Sequence, residues 1–312
     1  MYYDYAMAAP YMAGIHEGGS DFGSAGETMV DTDNGSDSIV TNSDASRAGE
    51  ALVDNYNGGS DSSVINNDES GAKEASEFNI LVLGNGTGTY ATQCKRYFQN
   101  VNIEGVEIDE KITALAEKYF DLPEDVNVTT YDGRAYLNAS DKTYDVIMVD
   151  AYQDITIPFQ MSTLEFFDLV NKHLKKDGVM IVNMNMRSGD DGSINEYLSD
   201  TIYKIFKNVY TVDVPGSTNK ELFASNNPDF IERLDINNAR ETDLSLKALI
   251  SNIKASLVKY EPSGELSLLT DDKAPVELLG MKVIDEIIKN ETEYYKNIYE
   301  EKGLSGLMDE LG

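Results

Sequence analysis

A glycine-rich turn after a short apolar run is the feature of this sequence that most limits its fold. Asn79 to Tyr90 read NILVLGNGTGTY, with glycines at Gly84, Gly86 and Gly88, and a helix-like stretch follows. Glycine lets the backbone turn tightly and approach a ligand without a Cβ in the way. Glu107 ends the next strand-like run roughly 20 residues on, where a carboxylate can accept both hydroxyl hydrogens of a ribose. The pattern predicts a cleft for an adenosine-type cofactor.

The glycine spacing indicates which cofactor this cleft suits. Dinucleotide sites favour GxGxxG, because the helix that follows packs closely and directs its N-terminus at a pyrophosphate. Here the run is GxGxG, and Thr89 stands where the later glycine would be. S-adenosylmethionine and its decarboxylated form carry no pyrophosphate, so a looser turn suits them better. The alternative is an ordinary glycine-rich turn between strand and helix that binds nothing.

Charge limits the choice of partner. The chain of 312 residues has a formal net charge of −30 and a hydrophobic content of 41%, enough for a real core. A nucleic-acid partner is not expected, because phosphate binding needs a basic face. Cationic ligands would be attracted instead.

The few cysteines and histidines exclude several kinds of site. The chain has one cysteine, Cys94, and two histidines, His16 and His173. One cysteine allows neither an intramolecular disulfide framework nor a thiolate zinc cluster, and two histidines give no basis for a metal site or a Ser/His/Asp triad. We expect Cys94 in the core, a structural role for His173 and no bound metal. No apolar run is long enough to cross a bilayer and no leader pattern is present, so we expect a soluble, cytoplasmic chain with no membrane partner.

The segment 16–76 differs from the rest of the chain. It is rich in Gly, Ser, Asp and Asn, and AGETMVDTDNGSDSIVTNSD resembles the later AGEALVDNYNGGSDSSVINND. Such a composition cannot bury enough apolar surface to offset chain entropy, so we predict a disordered, duplicated acidic insert. A calcium loop is the sharper alternative, because Asp31, Asp33 and Asp37 alternate around Gly35, but the twelve-residue pattern with a terminal Glu is not met.

From Phe78 onward, strand-like and helix-like patterns alternate, which is typical of a parallel sheet flanked by helices. Two further apolar runs flank the turn PGSTNK and predict an antiparallel hairpin. Together they predict an α/β fold with a Rossmann-like sheet of the class I S-adenosylmethionine methyltransferase type, mostly parallel with a C-terminal antiparallel hairpin and with helices on both faces. The expected strands are 80–83, 103–108, 126–130, 146–149, 179–182, 209–214 and 221–224.

These patterns divide the chain into four parts. Residues 1–15 are expected to pack on the core, and their tyrosines can either cover a ligand pocket or pack against the first strand, which we favour. The acidic insert takes 16–76, the nucleoside-binding catalytic domain 77–228, and a C-terminal helical extension 229–312.

Three acidic residues follow predicted strands: Glu107 after the second, Asp132 after the third and Asp150 after the fourth. Ligands of doubly wound sheets lie beyond the carboxyl ends of the strands, so these carboxylates should meet there. Asp132 can accept from an adenine amino group, with Gly133 flanking the ring, or cap the helix GRAYL, or do both. Asp150 would border the reacting carbon, unless it is a solvated loop carboxylate.

Several stretches of the chain that contain these residues resemble a known family. LVLGNGTGTY, GVEIDEKI, TYDGRAYL, KTYDVIMVDAY and HLKKDGVMIVNM resemble the spermidine synthase family, and more specifically its bacterial spermidine synthase-like branch. The resemblance implies that Gly84, Gly86 and Gly88 shape the cofactor turn and that Glu107 holds the ribose. It further implies that Asp132 and Gly133 border the adenine and that Asp150 stands at the catalytic aspartate.

The implied chemistry is aminopropyl transfer from decarboxylated S-adenosylmethionine to an amine, within polyamine biosynthesis. A carboxylate orients the amine and takes its proton, since an ammonium has no lone pair with which to attack. The resemblance implies a small cationic amine as partner, and a homodimer is possible. Tyr152, Gln153 and Asp154 follow Asp150 and are the candidates for binding the acceptor.

Two departures from the family leave alternatives open. The family's glycine turn carries an Asp where this chain has Thr87, and its second, amine-binding Asp is replaced by Gln153, with Asp154 one position later. Loss of the first carboxylate favours an S-adenosylmethionine-dependent methyltransferase with an unknown acceptor. A non-catalytic nucleoside-binding module is the third hypothesis.

Overall fold

The computed structural model describes residues 2–15, 77–98, 100–152, 157–185 and 192–311. The predictions for segment 16–76, Gln153 and Asp154 lie outside these residues. The strands are β1 Phe78–Leu83, β2 Val101–Glu107, β3 Asn127–Thr130, β4 Tyr144–Val149, β5 Leu174–Met184, β6 Asn208–Asp213, β7 Lys220–Ser225 and β8 Val258–Lys259. The helices are α1 Tyr2–Ala6, α2 Ala8–Ala13, α3 Thr89–Tyr97, α4 Glu110–Tyr119, α5 Gly133–Ala139, α6 Leu164–His173, α7 Ile194–Ile205, α8 Phe230–Arg240, α9 Leu244–Ser256 and α10 Val276–Leu311, with a 3₁₀ turn at Phe159–Met161.

The strands form a single sheet in the order β3-β2-β1-β4-β5-β7-β6-β8. Strands β1 to β5 pair in parallel, and β6, β7 and β8 complete the sheet with antiparallel pairs. The predicted α/β fold of the class I methyltransferase type is confirmed. The direction of strand progression reverses between β1 and β4, and such a switch point opens a crevice at the carboxyl ends of these strands.

Helices cover both faces of the sheet and bury a separate apolar cluster on each. One cluster joins the sheet to α1, α2, α3, α4, α8 and α9. The other joins it to α5, α6, α7 and the start of α10. Cys94 lies fully buried in the first cluster, as predicted. His173 is buried at the end of α6, where Nδ1 lies 2.7 Å from the carbonyl oxygen of Lys142, a structural role.

The N-terminal residues are built into the first cluster. Met7 and Met12 are buried there, and Asn237 of α8 donates a hydrogen bond of 2.7 Å to the carbonyl of Tyr11. Helix α2 ends at Gly14, whose φ of +107° lets its N–H turn back to the carbonyl of Pro10 at 3.1 Å. This anchorage fixes α1 over the carboxyl end of the sheet.

The C-terminal region differs from its sequence prediction in one respect. We expected only helices beyond 229, but Val258–Lys259 pairs with β6 as the outermost strand. Val258 is 64% exposed, so these two residues show no buried strand pattern in the sequence. Within the described part of the chain, no helix combines the length and apolarity needed to span a bilayer.

Candidate active site

The glycine turn brings the ends of β1 and β4 together. Gly84, Gly86 and Gly88 all have positive φ, at +85°, +53° and +80°. A Cβ on Gly84 would lie 2.5 Å from the carbonyl oxygen of Asp150, a distance that no side chain tolerates. Gly88 is the N-cap residue of α3, and a Cβ there would lie 2.3 Å from Leu122 Cδ1. The turn therefore requires glycine at position 84 because backbone atoms lie too close for a Cβ, and it favours glycine at position 88 because of the positive φ there.

Glu107 is held at the end of β2 by backbone donors. Its Oε2 accepts from the N–H of Gly86 at 2.8 Å, and its Oε1 accepts from the N–H of Asp109 at 3.1 Å. The side chain is largely buried, and it lines the cavity described below. Each carboxylate oxygen keeps a lone pair, so the group can still accept from a diol.

Asp132 caps α5. Its Oδ1 accepts from the N–H of Ala135 at 2.8 Å, which is the capping role considered from the sequence. Asp132 and Gly133 also face the cavity. A Cβ on Gly133 would lie 3.2 Å from Met161 Cε, so a larger residue would crowd the cavity wall.

Asp150 follows β4 and is bonded through both carboxylate oxygens. The hydroxyl of Tyr3 donates to Oδ2 at 2.9 Å, and Asn183 Nδ2 donates to Oδ1 at 2.8 Å. Asn183 Oδ1 in turn accepts from Asn219 Nδ2 at 2.7 Å. Asp150 is thus an oriented carboxylate. Tyr3 packs against the first apolar cluster and also lines the cavity, and its packing against the first strand stays a prediction.

Tyr152 lies two residues beyond Asp150 and also lines the cavity. Its hydroxyl contacts the carbonyl oxygen of Asn183 and accepts from the N–H of Asn185 at 3.0 Å. These contacts tie the segment after β4 to the end of β5.

A cavity of about 660 Å³ lies at the carboxyl ends of β1, β2, β4 and β5. It brings together Gly84, Gly86, Glu107, Asp132, Gly133, Asp150 and Tyr152 of the residues predicted from the sequence. In the described part of the chain, Thr87 and Gly88 do not line this cavity. Residues that the sequence did not point to complete it: Val106, Ile108, Asp109, Ile112, Tyr131, Ala151, Pro158, Gln160, Met161, Asn183, Asn185 and Asn219.

One wall of this cavity is fixed by an ion pair. Arg134 of α5 makes a bidentate contact with Asp271, at 2.7 and 2.6 Å, and also donates to the carbonyl of Gln160 at 3.1 Å. Asp271 accepts a further bond of 2.7 Å from Thr163. The Arg134 guanidinium beside it lowers the pKa of Asp271. The C-terminal region therefore holds the segment that carries Gln160 against the cavity.

Glu221 of β7 is a further carboxyl group that the sequence analysis did not select. Burial and then the nearby negative charge of Asp150 raise the pKa of Glu221 well above its ordinary value. A signal was present, because Glu221 begins the predicted strand ELFA, whose other residues are apolar. Among the described residues, no three His, Cys, Asp or Glu side chains group as a metal site requires.

Comparison with known proteins supplies the family. Residues 70–223 match the model of the spermine/spermidine synthase domain. A protein of Bifidobacterium longum (strain NCC 2705), named "Probable polyamine aminopropyl transferase", is 52% identical over 243 residues, which are 73% of this chain and 54% of that protein. This chain belongs to the spermine/spermidine synthase family. It spans about half the length of this relative.

More distant members of the spermine/spermidine synthase family extend the match. The polyamine aminopropyltransferase of Vibrio vulnificus (strain CMCP6) is 25% identical over 216 residues, covering 64% of this chain and 69% of that protein. The crystal structure of spermidine synthase from Thermotoga maritima aligns with a TM-score of 0.50 and 20% identity, over 58% of this chain and 65% of that one. The structural likeness supports the fold.

Proposed function

We propose that this chain transfers an aminopropyl group from decarboxylated S-adenosylmethionine to a small cationic amine. The observation that carries the proposal is the cavity that Glu107 and Asp150 share, with Gly84 and Gly86 between them. Membership of the spermine/spermidine synthase family supports it, as do relatives named polyamine aminopropyltransferase.

The residues of the cavity fit a sulfonium nucleoside. Glu107 would accept from the two ribose hydroxyls, since its carboxylate is already oriented by two backbone donors. Asp132 has one oxygen engaged in capping α5 and would accept from the adenine amino group through the other, beside Gly133. When bound, the sulfonium supplies an electrophilic carbon whose bond to sulfur breaks as the amine attacks. No metal is needed for this chemistry.

Asp150 would perform the proton transfer. An ammonium acceptor has no lone pair, so one of its protons must leave before its nitrogen can form a bond to carbon. Tyr3 and Asn183 hold the Asp150 carboxylate in place, and this carboxylate would accept an N–H of the acceptor amine. Orientation of the two reactants within one cavity would supply much of the remaining rate enhancement.

Tyr152, Gln153 and Asp154 are proposed to select the acceptor, because they follow Asp150 directly. The formal net charge of −30 would favour approach of a cation over that of a neutral amine. A cytoplasmic location, a homodimer and the lack of a nucleic-acid partner stay predictions from the sequence.

Mass spectrometry of the products tests the proposal. The purified chain is incubated with a panel of amines and either decarboxylated or ordinary S-adenosylmethionine, with Asp150→Asn as the control. Aminopropylated amine formed only from the decarboxylated donor supports the proposal. A methylated product from the ordinary donor would instead establish the methyltransferase alternative, and binding of either donor without product would indicate a non-catalytic nucleoside-binding module.

A further inference from the structure

Glu221 is a carboxyl group enclosed within the sheet next to Asp150. Its side chain is fully buried, and neither carboxyl oxygen has a hydrogen-bond partner among the residues that the structure describes. Glu221 stands directly opposite Asn183 in the ladder between β5 and β7, and Asn183 bonds to Asp150. Directly opposed residues project from the same face of a sheet. Asp150, Asn183 and Glu221 therefore form a polar row across the ends of three strands, beside the cavity.

In the described part of the chain, no positively charged side chain faces Glu221. The ionisable groups that face it are Asp150 from the end of β4 and Tyr90 from α3. The adjacent Lys220 points to the other face of the strand and pairs with Asp213 at 3.3 Å. Among the described residues, none donates to Glu221. A buried carboxyl without donor or counter-ion stays protonated, so Glu221 is a neutral acid in the free protein.

A cation in the cavity would change this balance. It would offset the negative charge of Asp150, which disfavours ionisation of Glu221, and would itself attract a second negative charge. A diamine has this effect throughout the reaction, because one nitrogen must lose its proton to react while the other keeps its charge. The family's amine-binding aspartate is replaced here by Gln153, with Asp154 one position later, so Glu221 is a further candidate for the counter-charge of the second ammonium.

We propose that Glu221 supplies a second negative charge to the acceptor site. It is a neutral acid in the free protein and loses its proton when a diamine occupies the cavity beside Asp150. The O–H bond of the carboxyl breaks, the proton passes to the buffer, and the carboxylate balances the ammonium that does not react. This inference rests on the proposed function, because it requires a cationic acceptor in that cavity. The acceptor class it selects is the diamines and polyamines rather than monoamines.

Proton-linked calorimetry tests this inference. The full chain, saturated with methylthioadenosine so that no turnover occurs, is titrated with 1,4-diaminobutane or 1-aminobutane in buffers of different ionisation enthalpy. We expect the diamine to release up to about one proton more than the monoamine. In Glu221→Gln this difference should vanish, and the affinity for the diamine should fall roughly tenfold more than that for the monoamine. Asp213→Asn removes an exposed carboxylate from the same hairpin and should behave like the wild type.

The outcomes separate this inference from the proposed function. Equal proton release in the wild type and Glu221→Gln, with both amines bound, overturns the inference alone. Failure of the wild type to bind either amine overturns the proposed function as well. A measurement on the wild type avoids dependence on the folding of a variant: diamine should abolish the infrared carbonyl band of a buried protonated carboxyl. Persistence of that band with the diamine bound would also refute the inference.

Discussion

Asp150 is the residue on which the proposed chemistry depends most directly. Asn in its place keeps the shape of the side chain but cannot take a proton from the amine. We expect Asp150→Asn to slow amine transfer about 10²- to 10⁴-fold, the usual contribution of a general base. Affinity for methylthioadenosine, measured by calorimetry, should stay nearly unchanged, because we propose that Glu107, Asp132 and Gly133 hold that ligand. Equal losses of rate and affinity would show that Asp150 is structural.

A second prediction concerns Glu221 and the way in which folding stability depends on pH. Its pKa is raised in the folded state, so the unfolded chain loses this proton at a lower pH than the folded chain does. The folded state is therefore favoured most below the unfolded pKa of about 4.3, and this advantage is lost as the pH rises towards the folded pKa. Glu221→Gln removes the ionisation and should stabilise the protein at pH about 7.5, where the carboxyl of the unfolded wild type is charged.

Thermal melting at several pH values checks this prediction. The gain of Glu221→Gln over the wild type should shrink as the pH is lowered to about 4, where the carboxyl is neutral in both states. Asp213→Asn is again the matched control and should show no such trend. A gain that is constant with pH would mean that packing, rather than ionisation, separates the two proteins.

These residues show what the sequence could and could not predict about the site. Glu107, Asp132 and Asp150 could be selected because each follows an apolar run, and parallel strands end at one edge of a sheet. The proximity of Asn183 and Glu221 in the fold could not be predicted in the same way. Their contact depends on the register between β5 and β7, which are antiparallel and far apart in sequence. A local hydrophobic pattern shows which residues of one strand share a face, but it does not show which distant strand lies beside it.

The ion pair between Arg134 and Asp271 links three elements of the structure: α5, the 3₁₀ turn Phe159–Met161 and the C-terminal region. Asp271→Asn would weaken this link, and the wall of the cavity formed by Gln160 and Met161 would loosen. We expect the affinity for methylthioadenosine to fall about three- to tenfold, because a partly exposed pair contributes of the order of 1 kcal/mol. Calorimetry measures the change.

Asp272→Asn provides the control, since Asp272 is the neighbouring exposed aspartate. It should leave the affinity for methylthioadenosine as it is. If Asp271→Asn also binds this ligand like the wild type, the ion pair does not position the cavity wall.

The strands themselves were largely predictable, and the reason is burial. Central parallel strands are buried on both faces and read as continuous apolar runs, such as the one that ends at Leu83. The eighth strand was missed because Val258–Lys259 is short and exposed, and only its pairing with β6 defines it. Long apolar elements are thus visible in the sequence, whereas edge strands depend on neighbours that the sequence does not reveal.

A further prediction concerns the acidic insert, residues 16–76, and the stability of the chain that carries it. Its composition cannot form a core, so replacing residues 18–75 with about 15 Gly and Ser residues should remove no stabilising contact. For a disordered connection such as the sequence predicts, shortening it about fourfold lowers the entropy cost of closing it by about 1.2 kcal/mol. We therefore expect the melting temperature to stay the same or to rise by a few degrees, as measured by calorimetry, with affinity for methylthioadenosine unchanged. A fall of many degrees would mean that the segment folds onto the catalytic part and stabilises it.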